Sequence, residues 1–315
     1  MIVCICIHTE LGYSLGTRII FDRTSTTGVK LAVDNLLELF RKYDAKGCFA
    51  LTADVLAKCE KETVLQIASE GHEVGLHVHP DDSYLVNLGL SSRGIIGLSQ
   101  YSLKEQSQII ECSSTLFEEK FHSLPLLFVS GNWSENNATI RILEKNHFLY
   151  DLTPLPGAKG HVCDWTRLKR ISLPYHPSPD DYQSRGSLKL LMIPVSLTIL
   201  KEVLGPESEP SQGMGFLKAG FEEYYSQNIP VLHVSLHSPA MTSRYYLAVL
   251  EELFAFISRH KNVEYGLPTG ESCSQPKTNY LPYLRRMNRS TTRTTVHAIW
   301  RRIYSQSIRS LKIQR

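Results

Sequence analysis

No stretch of the sequence holds the roughly 18 consecutive apolar residues that a membrane-spanning helix needs, so nothing in it reads as a membrane span. There is no CxxC pair either. The seven cysteines are scattered, and an odd, unpatterned set speaks against a disulfide framework and fits a reducing compartment. The N-terminus lacks a basic segment followed by an apolar stretch and a small-residue cleavage site. Instead Ile2-Val3-Cys4-Ile5-Cys6-Ile7 reads at once as a buried strand, with Cys4 and Cys6 as core thiols, and the protein is expected to meet its substrate in the cytoplasm. Acid is missing altogether from residues 276–315, which carry ten Lys and Arg residues. Removing those ten charges from the net charge of +3 leaves about −7 on residues 1–275. A mildly acidic body argues against a barrel that grips nucleic acid, and it sets the basic tail apart.

What is present is enough for one large core: 315 residues, 42% of them hydrophobic. Short apolar runs at 2–8, 47–51, 73–79, 125–131, 148–151, 189–195, 231–237 and 262–265 read as strands. Amphipathic patterns at 29–43, 53–69, 103–120, 135–146, 214–226 and 241–260 read as helices between them. Short strands alternating with longer helices predict a parallel, helix-covered sheet. The spacing fits a closed α/β barrel, with a doubly wound open sheet as the competitor. Residues 152–187, rich in Pro, Gly, Tyr, Asp and Ser, are expected to form a long loop over one end of the barrel, and 205–213 a polar connector.

In such barrels chemistry sits where strands end. Four apolar runs end in polar residues: His8-Thr9-Glu10, His77-Val78-His79-Pro80-Asp81-Asp82, Ser130-Gly131-Asn132-Trp133 and His237-Ser238-Pro239. On an extended strand His77 and His79 share a face, as do His8 and Glu10. Two imidazoles that close suit a divalent metal completed by a carboxylate such as Glu10 or Asp81. A pair of loop histidines and a solvated acid remain the plainer alternative.

These residues resemble a family. The string Gly71-His72-Glu73-Val74-Gly75-Leu76-His77-Val78-His79-Pro80 looks like the second motif of the polysaccharide deacetylase (NodB-homology, carbohydrate esterase family 4-like) superfamily, and is most similar to the WalW-type branch with HxHP. Val3 to Glu10 stands where the first motif falls, and Phe128-Val129-Ser130-Gly131-Asn132-Trp133 where the third does. Tyr150-Asp151, Pro174-Tyr175-His176-Pro177-Ser178, Leu191-Met192-Ile193-Pro194-Val195 and Leu236-His237 follow in order. The resemblance covers roughly residues 1–265. It implies a distorted (β/α)7 barrel over 1–270 and one divalent metal, zinc as a rule, held by Glu10, His77 and His79 with Asp81 in reserve. It also implies an acyl group removed from a sugar, with His237 protonating the leaving group.

Two positions depart from the family pattern. Its catalytic Asp is His8 here, and the Arg that pairs with that Asp is Val129. The exchange is consistent, because a neutral imidazole leaves no anion for a buried Arg to hold. Three outcomes stay open: His8 is the base itself, His8 is a further metal ligand, or the site is a non-catalytic carbohydrate-binding pseudoenzyme. A hydrolase acting on a non-sugar amide, allantoinase-like, is a fourth.

Asn132, Trp133, Asp164 and Trp165 are expected to contact the substrate, the indoles by stacking on a sugar face. In the tail, 271–315, Val296, Ile299, Trp300, Ile303, Tyr304 and Ile308 recur at helical spacing among arginines. That pattern reads as a basic amphipathic helix for a membrane surface, useful to an enzyme acting on a lipid-linked glycan at the inner leaflet. Oligomeric state, sugar and acyl group are not legible.

Overall fold

The computed structural model describes residues 1–270; the expected tail helix and the boundary at 271 lie outside them. The chain opens with strand β1 (Ile2–Thr9), a hairpin of β2 (Tyr13–Leu15) and β3 (Arg18–Ile20), helix α1 (Thr27–Tyr43) and β4 (Gly47–Leu51). Helices α2 (Ala53–Lys58) and α3 (Lys61–Ser69) lead to β5 (Glu73–Val78), then α4 (Ser83–Asn87), α5 (Leu103–Phe121), β6 (Leu127–Ser130), α6 (Asn137–Lys145) and β7 (Tyr150–Asp151). A second hairpin, β8 (Pro177–Ser178) and β9 (Asp181–Arg185), precedes β10 (Leu191–Met192). Helices α7 (Glu209–Gln212) and α8 (Met214–Ser226), strand β11 (Val231–His237), helix α9 (Arg244–Ile257) and β12 (Glu264–Tyr265) complete it.

Seven strands form one curled, parallel sheet in the order β10-β7-β6-β5-β4-β1-β11, and β12 adds alongside β1. This is the expected distorted barrel. Its seam lies between β10 and β11, where no ladder forms. The chain after β10 bridges the gap instead: Ser196 N donates to His233 O (3.0 Å), Ser235 N to Leu204 O (3.4 Å), and His233 Nδ1 to Ile193 O (2.9 Å).

The strands alternate between two cores. Val3, Ile5, Ile7, Phe49, Leu51, Leu76, Phe128, Leu232 and Leu236 pack under the helices. Cys4, Cys6, Cys48, Ala50, Leu127, Val129 and Val231 fill the barrel interior. Period-two alternation therefore delivers His8, after Cys4 and Cys6, to the inner face. The parallel register sets His8 beside His237 and His77 beside Val129. Caps fix the helices locally. Ser102 accepts from Glu105 N (3.4 Å) while Glu105 returns the bond to Ser102 N, and Asn136 caps α6 through Ala138 N and Thr139 N.

Two elements differ from the sequence reading. The pattern at 53–69 is two helices, because Cys59 and Glu60 take extended backbone and Cys59 turns into the core. Within 152–187 the loop carries hairpin β8–β9, tied to α6 by Tyr182 N donating to Asn137 Oδ1 (2.9 Å) and by an Arg141–Asp180 ion pair (2.7 Å). Among the described residues no helix is long and apolar enough to cross a membrane.

Under the β6–β7 edge, Glu135 and Asp151 are buried together. Asp151 Oδ1 accepts from Thr153 N (2.9 Å), while its Oδ2 and both Glu135 oxygens find no donor. The pair is stable only by sharing a proton. Burial is the main cause that pushes Asp151 up to about 6 and Glu135, also facing Asp151, well above the carboxylate range. Unfolded, both titrate near ~4, so the stability they contribute is full below that and drains as pH rises through 6. The urea midpoint is expected to fall from pH 5 to pH 8, and to fall less in Asp151→Asn, which is neutral throughout; equal falls in the two proteins would rule out the shared proton.

Candidate metal centre

The C-terminal ends of β1, β5 and β11 bring their polar residues to one cleft of about 410 Å³, lined among others by His8, Glu10, His77, His79, Trp133 and His237. Glu10 Oε1 lies 2.9 Å from His77 Nε2, 3.5 Å from His79 Nε2 and 3.9 Å from His237 Nε2. The two Nε2 atoms of His77 and His79 are 3.1 Å apart. His8, the other inner-face residue, sits with its ring 4.5 Å from His77 and 4.8 Å from His237.

Two of the cleft imidazoles, His77 and His237, are oriented from behind. A carbonyl or carboxylate can only accept, so His77 Nδ1 donates to Val129 O (3.2 Å) and His237 Nδ1 to Glu207 Oε1 (3.1 Å). Their Nε2 atoms are left to face the cleft. Glu207 also accepts from His237 N (2.7 Å), so one carboxylate fixes both backbone and ring.

Electrostatics separate the histidines. Burial first, then the neighbouring His77 and His237, hold His8 well below its ordinary value, so it is neutral. Burial also lowers His77, against the pull of Glu10. It opposes ionisation of His79 as well, but Glu10 and Asp81 outweigh it and push His79 up to about 10. For Glu10 burial would raise the carboxyl; the charge on His79 and bonds from both imidazoles bring it well below the usual range. His237 ends up raised, because its bond to Glu207 overcomes burial.

The donor set fits a divalent cation. Two imidazole nitrogens and a carboxylate oxygen face one another within 3.5 Å. His8, Glu10 and His77 also each offer an atom, all within 4.8 Å, so His8 is within reach of the same ion. Asp81 is differently employed. One oxygen pairs with Arg23 Nη2 (2.7 Å) and the other lies 3.6 Å from His79 Nδ1, behind the imidazole rather than at the ion.

Of the four expected substrate contacts, the geometry keeps Trp133 in the cleft, its ring 5.4 Å from His8. Asn132 lines the cleft, but its amide donates to Ile96 O (3.0 Å) and holds that loop. Asp164 and Trp165 are corrected. Asp164 caps its own turn by accepting from Thr166 N (3.0 Å) and Thr166 Oγ1, and it does not line the cleft. Trp165 is fully buried, so its indole cannot stack on a sugar. Its Nε1 donates to Trp133 O (2.8 Å). Asn132 and Trp133 have φ of 54° and 57°, a costly conformation for a bulky residue, and Trp165 helps to hold it.

Sequence reasoning missed Glu207 and Arg23. The first lies in the stretch read as a connector, and the second in the segment after a hairpin, which carries no periodic signal.

No family model matches the sequence, and no curated protein matches it. Solved structures do. A structure described as a polysaccharide deacetylase from Mycobacterium smegmatis superposes with a TM-score of 0.56 at 17% identity, over 87% of this chain and 94% of that one. The fold is that of the polysaccharide deacetylases. A second such structure, from Pseudomonas aeruginosa PAO1, gives 0.55 at 15% over 84% and 87%, and the Puue allantoinase 0.56 at 14% over 84% and 87%. At these identities the likeness is one of fold.

Within that deacetylase fold Gly131 is a packing requirement. A Cβ there would lie 2.6 Å from the His79 ring. Gly131→Ala is expected to displace the imidazole and weaken Zn²⁺ binding by at least about tenfold, read by chelator competition; undiminished affinity would show that His79 is not held by this contact.

Proposed function

We propose that the protein is a metal-dependent hydrolase that removes an acyl group, acetyl in the simplest case, from nitrogen or oxygen of a sugar. The observation that carries this reading is the convergence of Glu10, His77 and His79 within 3.5 Å, with His8 and His237 beside them at the floor of one open cleft. A divalent ion held by Glu10, His77 and His79, which we take to be zinc, would supply Lewis-acid polarisation of the acyl carbonyl and of the attacking water.

The chain's own residues do the rest. Neutral His8 takes a proton from the attacking water as the new C–O bond forms. His237, whose hold on a proton Glu207 strengthens, points Nε2 toward the cleft and gives a proton to the leaving nitrogen or oxygen as the C–N or C–O bond breaks. Val129 completes the exchange. It is buried in the barrel interior, where the Arg of the family pattern would have no carboxylate to pair with at position 8. The indole of Trp133 offers a sugar an apolar face, which favours a sugar over a non-sugar amide such as an allantoinase-like substrate. The HxHP spacing favours the WalW-type branch.

The six described cysteines are free, as a reducing compartment requires, and we place the enzyme in the cytoplasm, acting on a glycan precursor that includes lipid-linked forms. Among the described residues nothing bears on a membrane-binding tail, which stays part of this proposal.

The test is acetate release from acylated amino sugars and lipid-linked saccharides by protein of known metal content. His8→Ala and His237→Ala are each expected to lower turnover by roughly 10²–10⁴-fold, and Glu207→Gln by less. His237→Ala is expected to retain about one metal per chain. Turnover unaffected by either histidine change defeats the assignment of roles. A protein that takes up metal but releases nothing from any substrate points to the non-catalytic binding reading.

A further inference from the structure

Three histidines turn a nitrogen toward the cleft, and each needs something behind it. For His77 that support is a carbonyl, and for His237 a carboxylate from a loop. His79 is the exception. Its Nδ1 is buried and has no hydrogen bond, and Asp81 Oδ1 is likewise buried without one. These two atoms face each other at 3.6 Å. Buried polar atoms left unpaired are costly, and a shift of a few tenths of an ångström would join these two in a charge-assisted bond.

What keeps Asp81 in that place is an arginine from elsewhere in the chain. Arg23 Nη2 takes Asp81 Oδ2 at 2.7 Å, and Nη1 lies 3.8 Å from Asp82 Oδ1. Arg23 belongs to the segment between hairpin β2–β3 and α1, and it lines the cleft. A carboxylate pinned in this way is not free to swing onto the ion.

We propose that Arg23 is a positioning residue: it holds Asp81 behind His79, and the carboxylate in turn sets the imidazole in the orientation that a metal needs. Outer carboxylates of this kind orient metal-binding histidines in general, and losing one costs metal affinity. The chain Arg23–Asp81–His79 thereby ties the rim of the cleft to its floor. The proposal rests on the metal-site reading above.

The experiment measures Zn²⁺ affinity of the full chain by competition with a chromophoric chelator, without substrate. Arg23→Gln and Asp81→Asn are each expected to bind zinc about 10–100-fold more weakly. The double variant is expected to be no weaker than Asp81→Asn alone, since the two residues act in series. Arg23→Lys, which keeps the charge but not the fork, should fall between. Arg18→Gln, on the exposed hairpin strand, should bind as the wild type does.

Wild-type affinity in Arg23→Gln overturns the proposal. So does a loss confined to Asp81→Asn, which would make Asp81 a ligand in its own right. Should Arg23→Gln not fold, undiminished affinity in Asp81→Asn overturns it equally. A wild-type chain that takes up no zinc is a different failure: it removes the metal reading itself, and this proposal with it.

Discussion

The mouth of the barrel is organised around one carboxylate. Glu10 is the acid that three imidazoles approach, and its own backbone is pinned by Ser238, whose hydroxyl accepts from Glu10 N (3.1 Å) and donates to Glu10 O (3.2 Å). Take that charge away and the remaining histidines are mutually repulsive whenever more than one is protonated. The β1–β11 ladder runs in register up to His8 and His237, so the strand ends are fixed relative to one another before any loop is considered. A parallel ladder thus places the acid, and the acid gathers the rings.

The side chains at positions 8 and 129 bear on one another through charge. A carboxylate at position 8 would lie beside Glu10 in a low-dielectric pocket, and two buried anions need a cation to hold them. Here position 8 is an imidazole, position 129 is a valine packed in the inner core, and the backbone carbonyl of that same residue orients His77. Position 129 therefore supports His77 by its main chain whatever its side chain is. The neutral imidazole is cheaper to bury than a carboxylate, and burial is what keeps it neutral.

The strands, and the residues at their ends, were legible because two simple periods encode them. Alternation along β1, β5 and β11 placed His8, Glu10, His77, His79 and His237 on inner faces, and helical spacing located α1, α5 and α8 with boundaries close to those found. What stayed hidden sits on loops, where no period operates. Glu207 lies in a polar stretch indistinguishable from a linker, and Arg23 in a hairpin exit, and only three-dimensional closure brings either to a histidine. Trp165 misled for a related reason. A tryptophan in a Pro- and Gly-rich loop reads equally as a sugar platform or as the residue that nails the loop down, and full burial decides for the second.

This division of labour has a physical logic. The groups proposed to hold the ion come from strand ends, whose positions are fixed by ladders across the sheet, so their geometry is stiff. The groups that orient them, and the aromatic face offered to substrate, come from the loops after β3, β6 and β10. Loop segments tolerate change far better than ladder positions do. Rotating Glu207, Arg23 or Trp133 would alter the basicity, orientation or reach of a histidine without moving the strand that carries it. A barrel built in this way can have the shape and polarity of its cleft retuned from the rim while its floor stays in place.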